Sequence, residues 1–260
     1  MKKLKALTII LLLSFSFLFA GAEWTMKTTV TSKKKKNNTT TIMKFYTDGS
    51  NVKQVFVEIE GKRKQGFEGD NYYWLYKTGE DLIYIVNTKE KSYFPMSIDS
   101  ILQMSQLVSK IVKFEIKDYN IKKETLAPEV INGFKCNHIK LYITYKMKMK
   151  IAFIKKTFDV EEVKEIWATK DFKYFNDYNN PFIKKNFKTG FEELDKAIKE
   201  QMGMYKKIGF PIKTITISKQ NKKETITVSE VSDVKEKTFP KSFFEIPKDY
   251  QLIQSPYLRR

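Results

Sequence analysis

The chain has 260 residues, 48 of them basic and 30 acidic, for a net charge of +18. A single cysteine excludes an intramolecular disulfide, and a single histidine excludes a metal cluster or proton relay built on two histidines. The length suffices for one domain with a sizeable core or for two small ones.

Read in chain order, Lys2, Lys3 and Lys5 give a positive start, and Ala6 to Ala20 is an apolar run interrupted only by Thr8, Ser14 and Ser16. Ala20-Gly21-Ala22 then supplies a small-x-small cleavage site, so residues 1–22 are expected to be a signal peptide. The run is too short for a membrane span, and no cysteine follows it to take a lipid. Removing these residues, which hold three lysines and no acid, leaves 238 residues and a charge of +15. In a cytoplasmic protein that charge would point to nucleic acid. Export argues for a lysine-rich solvated surface instead, with transient contact to an anionic membrane surface as the sharper reading. The expected location is the periplasm, and nucleic acid is not an expected partner.

Strand signals dominate the rest of the chain. Trp24, Met26, Thr28 and Val30 alternate with polar residues, and Lys33 to Asn38 reads as a hairpin loop. Ile42 to Tyr46 is extended and Asp48-Gly49 is a turn. Val55, Val57 and Ile59 alternate with Phe56, Glu58 and Glu60, which assigns Phe56 to the same side as the two glutamates. Tyr72 to Tyr76 and Leu82 to Val86 are further strands, the second apolar enough to be covered on both faces. Ile98 to Val112 changes period. Ile98, Ile101, Leu102, Ser105, Val108 and Val112 share a helical face, so a helix packed on the sheet is expected, with a membrane-touching face as the alternative. Leu141 to Phe153 alternates strictly, with Leu141, Ile143, Tyr145, Met147, Met149, Ile151 and Phe153 expected to face inward and Thr144, Lys146, Lys148 and Lys150 to face water. Glu162 to Ala168 carries Trp167. A second helix is predicted from Glu192 to Lys207, with Thr189 and Glu192 as a capping box and Gly209-Pro211 as its stop. Strands Ile212 to Ile217 and Thr225 to Val231 come next, and Pro240 and Pro247 bracket a closing segment. Nothing forces a second domain, so residues 23–260 are read as one.

No G-x-S-x-G, H-E-x-x-H, C-x-x-C or phosphate-binding loop is present. Glu161 and Glu162 are adjacent on an extended segment and point to opposite faces, so they do not form a catalytic pair. The protein is not expected to be an enzyme, nor to carry a metal or cofactor. Cys136 is expected to be a buried, inert thiol and His138 a satisfied structural histidine.

Several segments together resemble a family of exported bacterial proteins of unknown function with the lipoprotein-carrier (LolA-like) fold. They are Lys91-Ser92-Tyr93, Gly133-Phe134-Lys135-Cys136, the run Glu165 to Asp171 around Trp167, Gly209-Phe210-Pro211-Ile212-Lys213, and Phe244 to Tyr250. The resemblance implies an α+β fold: a curved antiparallel sheet, or half-barrel, covered on its concave face by helices. It also implies a cavity for something lipophilic, a small molecule or the acyl chains of a lipoprotein. Trp74, Tyr84, Leu102, Met147 and Trp167 are the expected lining, chosen as large apolar groups on elements that should meet there. The alternative is a cell-envelope structural or interaction protein with a filled core and no ligand.

Overall fold

The computed structural model describes residues 21–32, 38–61, 69, 71–80, 82–97, 99–100, 112–151, 153–174, 191–221 and 223–254. The expected signal segment up to Ala20, most of the helix expected at 98–112 with Leu102, and Thr189 lie outside them.

Among the described residues twelve strands form one sheet: β1 Gly21–Ser32, β2 Thr39–Thr47, β3 Val52–Glu60, β4 Tyr72–Tyr76, β5 Leu82–Asn87, β6 Ser92–Ser97, β7 Val112–Ile131, β8 Phe134–Ile151, β9 Ile154–Thr169, β10 Phe210–Gln220, β11 Lys223–Lys237 and β12 Gln251–Leu252. Their order across the sheet is β12-β6-β5-β4-β3-β2-β1-β11-β10-β9-β8-β7. All neighbours are antiparallel except β12, which lies parallel to β6. The open antiparallel sheet implied by the resemblance is therefore present. Its helical cover is thinner than expected among the described residues, where the one α-helix of any length is α1, Glu192–Ile208.

α1 follows the helix dipole, with Glu192, Glu193 and Asp195 in its first turn and Lys206 and Lys207 in its last. Phe191 occupies the N-cap without a side-chain hydrogen bond, so the predicted capping box does not start it. Gly209 ends it at φ +102, where a Cβ would meet the Thr169 carbonyl oxygen at 2.2 Å.

Long strands set the shape. β8 runs for 18 residues and keeps the predicted alternation from Leu141 to Met149, with Tyr145, Met147 and Met149 half-buried between exposed lysines, but it ends at Ile151, so Phe153, expected on the inward side, lies in the turn and is exposed. β7, 20 residues long, has no clear sequence signal because it is an edge strand. It tolerates Pro128 and many charges, and it slips register between Lys117 and Asn120 and between Leu126 and Glu129. The β7–β8 turn is Asn132-Gly133, both at positive φ as a tight hairpin requires. Asn132 Nδ2 also donates to Glu230 Oε1 at 2.9 Å and to the Val231 carbonyl at 2.7 Å.

A bulge corrects the reading of β3. Register shifts between Ile42 and Met43 of β2, which pair with Glu58 and Phe56. Val57 is the extra residue and is exposed, while Phe56 turns inward and is 5% exposed. Strict alternation assigned these two the other way round.

Among the described residues the apolar side chains gather in four clusters. One lies under α1 and contains Ile139, Leu141, Ile143, Ile166, Ala168 and Ile208. On the opposite face of β3 to β6, the closing segment folds Phe239, Phe243, Phe244, Ile246 and Tyr250 over Tyr73, Leu75 and Val86. A short 3-10 turn, Lys241–Phe244, places the two adjacent phenylalanines there. The other two clusters are the helix-bearing side of β4 to β6 and an end plug around Trp24, Trp167 and Phe172.

Candidate functional site

Directly opposed residues in a sheet share a face, so register assigns each side chain. The row Phe94, Ile85, Trp74, Gln54, Phe45, Trp24 runs from β6 to β1. The next row on the same face is Phe56, Met43, Met26 and Val231. The row after that is Thr41, Thr28, Ser229, Thr214, Ile166 and Ile139, the last two lying in the cluster under α1. These rows place Trp74 and Trp24 on the helix-bearing face.

On the β1 to β4 half, that face is a floor of Trp24, Met26, Met43, Phe45, Gln54, Phe56 and Trp74. The Trp24 and Phe45 rings stack with centroids 5.3 Å apart and planes 4° from parallel. Phe56 and Trp74 meet edge to face at 5.9 Å. Gln54 Nε2 reaches Met43 Sδ at 3.0 Å, an amide placed within an otherwise apolar surface. Two aromatic pairs give rigid area, and two methionines give a surface that adapts to the shape of an occupant. Trp24 also packs edge to face on Phe172 and Phe210, which stack at 4.2 Å and close one end of the floor. A polar strip of Thr28, Thr41, Ser229 and Thr214 bounds the other side, with Thr28 and Ser229 hydroxyls 3.0 Å apart.

The five expected lining residues do not form one surface. Trp74 is part of the floor. Met147 shares its face but lies seven strand positions away, about 34 Å measured along the sheet. Tyr84 pairs with Leu75 and so points to the opposite face, where its hydroxyl donates to Glu80 Oε2 at 2.5 Å. Burial and that hydrogen bond push its pKa up to about 12. Trp167 also faces away from the helix. It stacks on His138 with centroids 4.3 Å apart, and Lys213 Nζ sits 5.5 Å from its ring centre. Leu102 lies outside the described residues.

His138 is the satisfied structural histidine that was expected. It is 5% exposed, with Nδ1 3.0 Å from Glu129 Oε1 and Nε2 2.8 Å from Glu165 Oε1. The two ring nitrogens point at different carboxylates, so the group braces β7 to β9. Cys136 is fully buried without a partner thiol, and burial raises its pKa. Glu161 and Glu162 diverge. Glu162 lies on the helix-bearing face beside Lys164 at 3.4 Å, and Glu161 is exposed on the other.

Among the described residues no group of His, Cys, Asp and Glu could hold a metal ion. A cavity of about 120 Å³ opens at the β1 bulge, lined by Glu23, Trp24, Thr25, Lys44, Asp233 and Lys235. Its mixed charges and small size suit water rather than an acyl chain. No described helix is long and apolar enough to cross a membrane.

The chain is thus a broad antiparallel sheet with one apolar, adaptable floor. It belongs to the family described as "Domain of unknown function (DUF4412)", whose pattern matches residues 19–250. No curated protein matches the sequence. Among solved structures it is similar to an uncharacterized conserved protein from Thermus thermophilus, at 9% identity and a TM-score of 0.37, covering 95% of this chain and 98% of that one. It is similar also to a "putative outer membrane lipoprotein-sorting protein domain" from Vibrio parahaemolyticus, at 12% identity and 0.29, covering 87% and 90%. A DUF1329 family protein from Desulfovibrio piger matches at 9% identity and 0.24, covering 91% and 93%.

Proposed function

We propose that the protein binds a lipophilic ligand, a small molecule or the acyl chain of a partner, on the floor formed by Trp24, Met26, Met43, Phe45, Phe56 and Trp74. The observation that carries the reading is the floor itself. It is a two-row floor of aromatics and methionines on the helix-bearing face, interrupted by one amide, in which Trp24 and Phe56 are buried and the other members half-buried. An acyl chain laid on it gains about 0.8 kcal/mol per buried methylene and needs no polar partner, while Gln54 suits a carboxyl or ester oxygen. The protein works, on this reading, as an exported binding protein of the periplasm and not as an enzyme.

The test is titration of a fluorescent fatty-acid probe into the protein. Trp24 and Trp74 are part of the floor, so saturable binding should transfer energy from, or quench, their emission. Met43→Glu should weaken binding by at least about tenfold, because it sets a carboxylate among apolar groups. Non-saturable uptake, or equal binding by Met43→Glu, defeats the proposal. The filled-core alternative draws on the stacked plug of Trp24, Phe172 and Phe210. It predicts no probe binding and an intact fold.

A further inference from the structure

The far ends of β7, β8 and β9 leave the body of the sheet. Register between β9 and β10 starts at Val160 and Gln220, so Ile154 to Phe158 pair with no strand on that side among the described residues. The three-stranded tongue made with Lys146–Ile151 and Val112–Lys117 therefore reaches about 17 Å beyond the β10–β11 turn. At its tip Ile151 pairs with Ile154, and Phe153 in the turn is 99% exposed. Ile154 is 62% exposed.

Charge is arranged in rows behind that tip. The nearest row on the face opposite the helix is Lys113, Lys150 and Lys155, three lysines directly opposed across three strands. Like charges in this position oppose folding. All three are exposed, and none makes an ion pair among the described residues. The next row, Glu115, Lys148 and Thr157, is neutral. Further back Lys117 and Lys146 are paired with Glu115 and Asp118, at 2.9 and 3.2 Å. No carboxylate is opposed to the row where the apolar tip begins, and Lys156 adds positive charge there from the other face.

We infer that this tongue docks on an anionic lipid bilayer, with Phe153 and Ile154 entering the headgroup boundary and the Lys113–Lys150–Lys155 row lying at the lipid phosphates. The spacing fits. Lys150 and Lys155 stand three and two residues from Phe153, about 7–10 Å along the strands, which matches the about 5–10 Å to which interfacial apolar groups penetrate. An acidic protein surface would satisfy the lysines but would leave a fully exposed phenylalanine at the tip unexplained. The inference goes beyond ligand binding on the floor and does not need it.

The test uses the exported protein recovered from its host after processing, with its amino terminus determined. It is mixed with phosphatidylcholine vesicles, with and without phosphatidylglycerol, at low and high salt. Binding should require phosphatidylglycerol and weaken with salt. Replacing Lys113, Lys150 and Lys155 together by Ser should weaken it roughly a hundredfold, at about fivefold per lysine near an anionic surface. Phe153→Ser with Ile154→Ser should weaken it at least about tenfold. All these positions are exposed, so the thermal melt of the tip variant should not move, and that of the triple lysine variant should rise as the opposed like charges are removed. Phe153→Trp adds a direct readout, because a brominated lipid should quench the new indole in the bound state. Met43→Glu should leave vesicle binding unchanged, which separates this site from the floor. Equal binding to uncharged vesicles, or unchanged binding by the triple lysine variant, overturns the inference. Unchanged binding by the tip variant, with poly-glutamate competing, overturns it in favour of a soluble acidic partner.

Discussion

Lys53 carries an ammonium group into apolar, aromatic surroundings. It projects from β3 under the closing segment, with Nζ 4.2 Å from the Tyr73 ring centre and 4.5 Å from that of Phe243. Burial lowers its pKa below the usual lysine value, and burial with the nearby Tyr250 pushes Tyr73 up to about 12. The folded protein thus releases the Lys53 proton at lower pH than the unfolded chain does. In the alkaline window between those two values the unfolded state holds more protons, so this group makes stability rise with pH. Below the window both states hold the proton and the full burial cost stands. Lys53→Met removes that cost and loses two cation–π contacts of about 0.5–1 kcal/mol each, but gains sulfur–aromatic contact of about 0.3–1.5 kcal/mol. The net change at neutral pH should be within about 1 kcal/mol. Lys53→Ala keeps none of the stem packing and should cost about 2 kcal/mol, at about 0.8 per buried methylene. Urea melts of wild type and Lys53→Met, from neutral pH to about pH 10, check both points. Tyrosine ionisation is common to the two proteins, so their difference isolates the lysine. It should shift toward wild type as pH rises. If Lys53→Met costs as much as Lys53→Ala, or the difference is flat with pH, the ammonium is not held against the rings as described.

Met147→Lys should destabilise by about 1–2 kcal/mol in denaturant melts, since Met147 is half-buried opposite Ile116 and Phe158; Lys148→Met, on the exposed side, should cost under about 0.5. Gly209→Ala should cost about 3 kcal/mol or more, because a Cβ there meets Thr169 oxygen at 2.2 Å from a left-handed backbone. Cys136→Ala should give the same thermal shift in reducing and oxidising buffer, and a shift confined to oxidising buffer would reveal a disulfide between chains. Gly21 and Ala22 already belong to β1, paired with Lys237 and with Thr47 and Glu236. A chain beginning at Glu23 should therefore melt lower than one beginning at Gly21, by about 1–3 kcal/mol of lost pairing and Ala22 burial.

The strands were legible wherever one face is apolar and the other polar over several residues. β8 satisfies that condition along Leu141 to Met149, and its pattern survives in the structure. The condition fails in β7, where an edge position relaxes the demand for apolar residues, and at Val57, where one extra residue inverts the faces beyond it. A bulge leaves no mark in Val-Phe-Val-Glu-Ile, because either valine or phenylalanine can fill a core. α1 was legible from its charges and its glycine stop, which act locally. Its cap was not, because backbone geometry at Phe191 decides it.

The lining of the floor was less legible for a related reason. β4 and β5 are apolar on both faces, so Trp74 and Tyr84 look alike in the sequence, and only register between Leu75 and Tyr84 separates them. Trp167 reads as a pocket aromatic but serves as the stacking partner of His138, whose carboxylates come from β7 and from Glu165 two residues before it. The tongue illustrates the converse. Lys150 was placed on the solvent face by alternation alone, but its opposition to Lys113 and Lys155 depends on two registers that the sequence does not state. A solvated lysine face and a cationic docking edge have the same composition. What distinguishes them here is the row itself, three lysines opposed across three strands with no carboxylate among them, set next to the exposed Phe153.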